Sequence, residues 1–213
     1  MFLGLLYAVI ACAIWGLIYI FPLILPEYDP VMIASARFAV YGMACLLFVP
    51  FQIKELKKLT RRDWFFAMRL AFFGSLVYYW SLVTSVQLSG APIAGMLMCL
   101  IPVLVAVVSN LRNKKRGANV PWRGLILCGM VVANWTEFYY AVHEQAATPL
   151  QFWIGVGCAV LSLLLWTWYP IRNADWLLAN KTKGPKVWAT AQGLAILPFT
   201  LLGFVFVSMW LEP

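Results

Sequence analysis

The side chains best placed to do chemistry in this chain are the few charges that interrupt long apolar stretches. Arg37 lies about six residues into the stretch 31–51, which is roughly 9 Å deep at the rise of an α-helix. Because a charge in hydrocarbon is costly, such a residue is a candidate for function. The Arg37 guanidinium would bind an anionic group, such as a carboxylate, through charge-assisted hydrogen bonds. The alternative is that its long side chain reaches back to the lipid headgroups.

Glu137 lies at a comparable depth near the end of the stretch 122–142. A carboxyl group with little access to water takes up a proton readily, so Glu137 is a candidate for carrying a coupling proton. Two alternatives remain: Glu137 forms an ion pair with Arg37, or it is a simple residue of the membrane interface. His143, the single histidine, falls in the polar connection that follows. There a solvated loop residue is a better interpretation than a proton relay.

Hydroxyl and aromatic side chains are concentrated in the stretch 70–88. In an apolar helix, hydroxyl groups tend to face protein or a water-filled cavity, and aromatic rings can stack on an organic solute. The residues of this group therefore either line a cavity or join neighbouring helices. We take three of them as candidates for solute binding: Tyr78, Tyr79 and Ser81.

Four further residues complete the predicted solute contacts. Trp15 and Trp166 occupy matching positions in two similar segments, where they either flank a cavity or pack at an interface between the segments. Pro102 lies near the middle of the stretch 91–111, and a proline there removes one helix hydrogen bond and permits a bend. Gln192, near the start of the stretch 187–211, is a predicted polar contact from the second half of the chain.

The elements that must position these residues are membrane spans. Of the 213 residues, 63% are hydrophobic and only 11% are charged, whereas a soluble domain keeps roughly a quarter of its residues charged. Apolar stretches of about twenty residues match the roughly 30 Å of hydrocarbon in a bilayer. We therefore predict an all-α fold, a polytopic membrane helix bundle of about seven transmembrane helices. The predicted spans are residues 2–25, 31–51, 70–88, 91–111, 122–142, 152–171 and 187–211.

The net charge of +8 is carried by the connections between these spans. The connections after spans two, four and six are basic, and the other three contain no Lys or Arg. Because basic loops stay in the cytoplasm, we predict a cytoplasmic N-terminus. We also expect a multi-pass protein of the plasma membrane, the inner membrane of a bacterium. The same placement argues for membrane lipids as partners and against nucleic acid.

Other classes of function lack the residues they need. The five cysteines lie inside apolar stretches without paired spacing, so we interpret them as small buried side chains and predict no metal site. Clustered acids, or a histidine with carboxylates, are missing from the predicted spans, so we predict no enzyme and no cofactor. A retinal-type receptor needs a lysine in the last helix, and residues 187–211 contain none.

An internal similarity links the beginning of the chain to its later part. Residues 4–15 and 155–166 share Gly, Ala, Val and Trp at one fixed offset. Their starts are an odd number of spans apart, which inverts the second copy in the membrane. Inverted repeats are a recurring plan of secondary transporters. We therefore predict a first five-helix repeat over residues 1–145 and a partial second repeat over residues 150–213.

Several loose motifs occur in an order that matches a known family. They are the segment Ala11-Cys-Ala-Ile-Trp-Gly16, the segment Ala34-Ser-Ala-Arg-Phe38, the Ser-Gly-Ala-Pro sequence before Ile101-Pro102, and the Gly-Leu-x-Leu-x-Gly-x-Val-Val run at 124–132. Through them the chain resembles the drug/metabolite transporter superfamily, specifically its EamA-type members. Members of that family typically have ten helices, built as five plus five. This chain looks like one complete repeat and the first two helices of the second.

The resemblance implies a secondary transporter that works by alternating access. The expected activity is export of small organic metabolites, such as amino acids or drug-like solutes. One alternative is a truncated or split transporter half without independent activity, which would need a homodimer or complementing helices. The other is a membrane sensor that does not transport.

Overall fold

The computed structural model describes residues 4–7, 9–10, 16–112 and 148–210. Over these ranges the chain is helical, with short connections and no strand. The predicted span at 122–142 lies outside the described residues, as do Trp15, Glu137 and His143. The helices are α1 (Ile20–Ile24, after a 3-10 turn at Leu17–Tyr19), α2 (Pro30–Leu56), α3 (Arg61–Ser89), α4 (Ala91–Arg112), α5 (Pro149–Ala179) and α6 (Pro185–Trp210).

Five of the described helices, α2 to α6, are long and apolar enough to cross a membrane. They correspond to predicted spans two, three, four, six and seven. The prediction of an all-α, polytopic helix bundle is confirmed for the described part of the chain. The helices extend beyond several of the predicted spans because their polar ends continue the helix past the apolar stretch. For example, α3 begins at Arg61 rather than near residue 70.

Local sequence signals set where the helices begin. Pro30, Pro149 and Pro185 each occupy the first position of a helix, where the missing N–H costs no hydrogen bond. The Asp29 carboxylate accepts a hydrogen bond from the backbone N–H of Val31 at 2.7 Å. At the start of α3, Thr60 and Asp63 cap each other's backbone N–H groups, and a second capping box opens α5.

Two spanning helices are interrupted. In α3, residues Phe72–Val77 form a π-helical turn between two α-helical parts. In α4 the helix breaks at Leu100, between segments Ala91–Cys99 and Ile101–Arg112. Pro102 explains this break, because it has no N–H to bond the carbonyl oxygen of Met98. The predicted bend at Pro102 is therefore found, whereas Pro198 lies inside the continuous helix α6.

The helices α2 and α6 form a close, antiparallel pair joined through glycines. A side chain at any of three glycines would collide with the facing helix, so the two backbones approach closely there. The contacts, in order along α2, are Ser35 with Gly203, Gly42 with Leu197, and Cys45 with Gly193. Residue numbers rise along α2 while they fall along α6, so the two helices run in opposite directions.

The helices α3 and α5 form the second antiparallel pair. Gly74 lies against the ring of Tyr169, and the Ser162 hydroxyl donates a hydrogen bond to the carbonyl oxygen of Tyr78 at 3.2 Å. Further along α3, Ser89 lies against Gly155. The pair of α2 and α6 meets α3 along most of its length: α6 packs mainly on Arg61–Ala71 and α2 mainly on Tyr78–Ser89, with the π-helical turn between these two parts.

The basic connections lie at one end of the bundle. The Lys183 ammonium, between α5 and α6, is 2.6 Å from the Asp63 carboxylate at the start of α3. The Arg112 guanidinium at the end of α4 is 2.8 Å from the carboxylate of Asp175 near the end of α5. These ion pairs connect the three regions of the chain that the sequence marks as basic. The side of the membrane on which they lie stays a prediction.

Candidate functional site

A cavity of about 350 Å³ lies where α2, α3, α5 and α6 come together. It combines one cationic group with hydroxyl, amide and aromatic side chains. The helix α2 contributes four of the residues, and each of the other three helices contributes one. Its lining consists of Arg37, Phe38, Val40, Tyr41, Ser75, Tyr169 and Gln192.

Arg37 provides the positive charge of this cavity. Its guanidinium carbon is 4.2 Å from the ring centroid of Tyr79 and 5.5 Å from that of Phe38, so aromatic faces hold the cation. In the part of the chain that the structure describes, Arg37 makes no ion pair. Its exposed guanidinium therefore retains donors for a solute anion. The pairing with Glu137, one of the alternatives that the sequence leaves open, involves a residue outside the described ranges and is not tested.

A second cavity of about 520 Å³ shares Arg37 and Val40 with the first. Its other residues are apolar except for Tyr79, whose hydroxyl donates a hydrogen bond to the carbonyl oxygen of Ile18 at 3.2 Å. The apolar lining comes from the first helical segment and from α2. Arg37 thus lies between a polar cavity and an apolar one. The apolar residues are Leu17, Ile18, Phe21, Leu25, Ile33, Ala36 and Val40.

Gln192 lines the polar cavity from α6 and is held in a hydrogen-bond network. The Tyr169 hydroxyl donates to Gln192 Oε1 at 2.9 Å, and Gln192 Nε2 donates to Asn173 Oδ1 at 3.0 Å. The Trp188 indole N–H donates to the same Asn173 oxygen at 2.8 Å. The network fixes the orientation of the Gln192 amide, with Oε1 towards Tyr169 and Nε2 towards Asn173. One N–H and one lone pair of the Gln192 amide remain for other partners.

A stack of three aromatic rings includes the cavity-lining residue Tyr169. The rings of Tyr78 and Trp166 are stacked with centroids 4.4 Å apart, and Trp166 stacks on Tyr169 at 5.3 Å. The Tyr78 hydroxyl is buried and has no hydrogen-bond partner among the described residues. The structure brings Tyr78 and Trp166 into contact, and neither residue is among those that line the two cavities. They position Tyr169, which itself lines the cavity.

The structure places the predicted site residues in three groups. Arg37 and Gln192 line the polar cavity, and Tyr79 lines the apolar one. Ser81 is fully buried and donates to the carbonyl oxygen of Val77 in its own helix at 2.8 Å. Neither Ser81 nor Pro102, which is exposed on α4, is among the residues that line these two cavities. The predicted roles of Trp15 and Glu137 concern residues outside the described ranges.

Sequence reasoning missed Tyr41, Ser75, Tyr169 and Asn173. A signal existed for two of them. The polar and aromatic residues Ser162, Trp166, Tyr169 and Asn173 are spaced at three or four residues, so they share one face of α5. Ser75 had no such signal, because its position in the cavity depends on the π-helical turn of α3. Such turns are frequent at functional sites.

A bundle of apolar helices around a polar cavity is typical of a membrane transporter, and comparison with known proteins agrees. Residues 2–135 match the model of the EamA-like transporter family. The chain belongs to the EamA-like transporter family, and it is a multi-pass membrane protein. This confirms the resemblance inferred from the motifs, and it points to a transporter rather than an enzyme.

One curated relative is the inner membrane protein YtfF of Escherichia coli (strain K12). It is 35% identical over 215 residues, which cover 98% of this chain and 66% of YtfF. The chain therefore spans about two thirds of the length of that relative. No solved structure matches the chain.

Proposed function

We propose that this chain is a secondary transporter of a bacterial inner membrane that exports small organic metabolites by alternating access. The observation that carries the proposal is the cavity of Arg37, Tyr169 and Gln192 at the junction of four helices in a member of a transporter family. The inner-membrane location is supported by the name of the relative YtfF and by the five described helices that could cross a membrane.

The volume and lining of the cavity favour a small solute. Ligand sites in proteins measure roughly 300–1,000 Å³ and place a few polar groups among apolar walls. The cavity of about 350 Å³ is at the small end of this range. A metabolite with one charged or polar group and an apolar body would match Arg37 on one side and the apolar cavity on the other. Drug-like solutes fit this description, and an amino acid would place its carboxylate at Arg37 with its ammonium directed away from it.

The test is flux from the purified protein. We expect proteoliposomes that contain the chain to exchange at least one compound from a panel of labelled amino acids and small organic metabolites. Arg37→Ala should reduce that flux at least tenfold, because one charge-assisted hydrogen bond contributes about 1.5–3 kcal/mol. Arg69→Ala is the matched control, because Arg69 is an exposed arginine of α3 that lines neither cavity. Equal losses in the two variants, or no flux at all, would contradict the proposal for this chain alone.

A second candidate is a transporter half that needs a second copy or complementing helices. The observation that favours it is the alignment, which covers 66% of YtfF. In that case the pure chain would give no flux. Flux would appear after co-reconstitution with the part of YtfF that the alignment does not cover.

A further inference from the structure

The helices α2 and α6 begin with the same pattern. Pro30 and Pro185 are their first residues, and each is followed at the same distance by a short polar segment. Ala34-Ser-Ala-Arg37 in α2 corresponds to Ala189-Thr-Ala-Gln192 in α6 at one constant offset in sequence. When the two prolines are included, five positions are compared. Four of them are identical or similar, and the fifth has Arg37 in α2 and Gln192 in α6. These helices are the second members of the two predicted repeats.

The packing of the two helices agrees with this correspondence. At the same offset in sequence, Gly42 of α2 corresponds to Leu197 of α6. These two residues also contact each other across the helix pair. When two antiparallel helices are related by a two-fold axis, equivalent residues meet only where the axis crosses their interface. The contact between Gly42 and Leu197 is therefore the point where such an axis would pass.

Arg37 and Gln192 lie on opposite sides of that point. Each precedes the contact residue of its own helix by five positions, and the helices run in opposite directions. At 1.5 Å per residue, each Cα is displaced by roughly 7.5 Å from the crossing along the helix axis. Both side chains nevertheless line one cavity. The cavity therefore straddles the crossing point, with Arg37 towards one end and Gln192 towards the other.

The two ends differ in charge. The Arg37 end carries a guanidinium that makes no ion pair among the described residues. The Gln192 end is neutral, and its amide is oriented by Tyr169 and Asn173. A solute with two negative groups would leave one of them beside a neutral amide, and a cationic solute would meet the guanidinium. A solute with one negative group and a neutral polar group matches both ends.

We propose that Arg37 and Gln192 are equivalent positions of two inverted repeats and form the two poles of the solute site. The Arg37 pole selects solutes with a single anionic group, and the Gln192 pole binds their neutral polar part. This inference rests on the proposed transport function and adds the charge of the solute and the residues that determine it.

The test uses three probes that share the acetylated alanine skeleton and differ in charge: N-acetylalanine as the anion, N-acetylalaninamide as the neutral compound, and 2-acetamidopropanamidine, in which an amidinium replaces the carboxylate, as the cation. Their binding to the purified chain in lipid nanodiscs is measured by equilibrium dialysis. We expect the anion to bind at least tenfold more tightly than the other two. Arg37→Gln should abolish this preference, and the exchange Arg37→Gln with Gln192→Arg should restore anion binding to within about threefold. Anion binding should be restored in the exchanged variant only if positions 37 and 192 face the same site.

Because a buried arginine at position 192 could prevent folding, Gln192→Glu provides a second test. Glutamate has nearly the same shape as glutamine and can still accept the hydrogen bond from the Tyr169 hydroxyl, and the thermal unfolding midpoint in detergent checks that the variant is folded. We expect it to weaken binding of the anion and to strengthen binding of the cation, each about tenfold. Gln151→Glu is the matched control, because Gln151 is exposed at the start of α5 and lines neither cavity, and it should leave all three affinities unchanged.

The outcomes separate this inference from the proposed function. Equal binding of the three probes, no binding of the anion, or unchanged affinities in Gln192→Glu would overturn the two-pole site. Flux of other solutes in proteoliposomes would then still support a transporter. Charge-selective binding without flux of any compound would support the two poles and contradict independent transport by this chain.

Discussion

At the scale of single residues, the chain places its charged groups by two different rules. On α2, Arg37 is exposed, lies over the ring of Tyr79, and makes no ion pair among the described residues. At the basic end, Asp63 accepts hydrogen bonds from Lys183, from Thr60 and from the indole N–H of Trp176. The Arg37 guanidinium is therefore available to bind a solute. The Asp63 carboxylate is occupied by hydrogen bonds and an ion pair within the protein. Asp63 therefore has a structural role.

This difference predicts the effect of removing Lys183. The side chains of Asp63 and Lys183 are only 9% and 22% exposed, so Lys183→Met leaves a poorly solvated carboxylate without its cation. We expect a loss of about 1–3 kcal/mol of stability, seen as a lower thermal unfolding midpoint in detergent. The matched variant is Lys58→Met, because the pair of Lys58 and Glu55 is largely exposed. A similar loss in both variants would mean that the pair at Asp63 has no special role.

At the scale of helices, the contact between α2 and α6 depends on small residues. Between helices in lipid there is little hydrophobic driving force, so close van der Waals packing must hold the pair together. Gly42 allows this approach, because a Cβ atom there would lie 2.8 Å from the carbonyl oxygen of Gly193 in the facing backbone. The same contact places Arg37 and Gln192 around one cavity. Packing and solute site therefore depend on the same pair of helices.

Gly42→Ala should consequently destabilise the bundle and weaken solute binding together. Overpacking at such a contact costs about 1–3 kcal/mol, which would lower both the thermal unfolding midpoint and the flux. Gly95→Ala in α4 is the control, because nothing lies within 4 Å of a Cβ atom at that position. Both substitutions gain the same helix propensity, so their difference isolates the contact. Equal stability of the two variants would contradict the close pairing of α2 and α6.

At the scale of the whole molecule, the basic connections form one end of the bundle and the acidic turn before α2 lies at the other. Ion pairs link the end of α4 with α5, and the connection after α5 with α3. The turn between α1 and α2 carries Glu27 and Asp29 instead. Because basic loops are retained in the cytoplasm, the two ends should lie on opposite sides of the membrane.

Labelling with a membrane-impermeant maleimide checks this orientation. In intact cells we expect Glu27→Cys to react and Lys181→Cys to react only after the membrane is permeabilised. Lys57→Cys should behave like Lys181→Cys, since both positions belong to basic connections. Reaction of Lys181→Cys in intact cells would reverse the predicted direction of every helix. The five native cysteines lie in apolar stretches, and the unsubstituted chain measures their background.

The sequence by itself determined the properties that depend on local composition. The length of each apolar stretch decides whether it can cross a bilayer, so the spans at α2 to α6 could be predicted, and the basic connections gave a predicted direction. The family could be predicted from the order of its motifs. The sequence also singled out Arg37 and Gln192, because polar groups are conspicuous in an apolar helix.

Only the tertiary structure decided which helices pack against each other. Helices that are apolar all round give no periodic signal for their buried face. The glycine contacts of α2 with α6, the π-helical turn of α3 and the hydrogen bond from Tyr169 to Gln192 join residues far apart in sequence or change their register. For that reason only the tertiary structure shows that Arg37 and Gln192 line one cavity. It also shows that the Ser81 hydroxyl is hydrogen-bonded within its own helix.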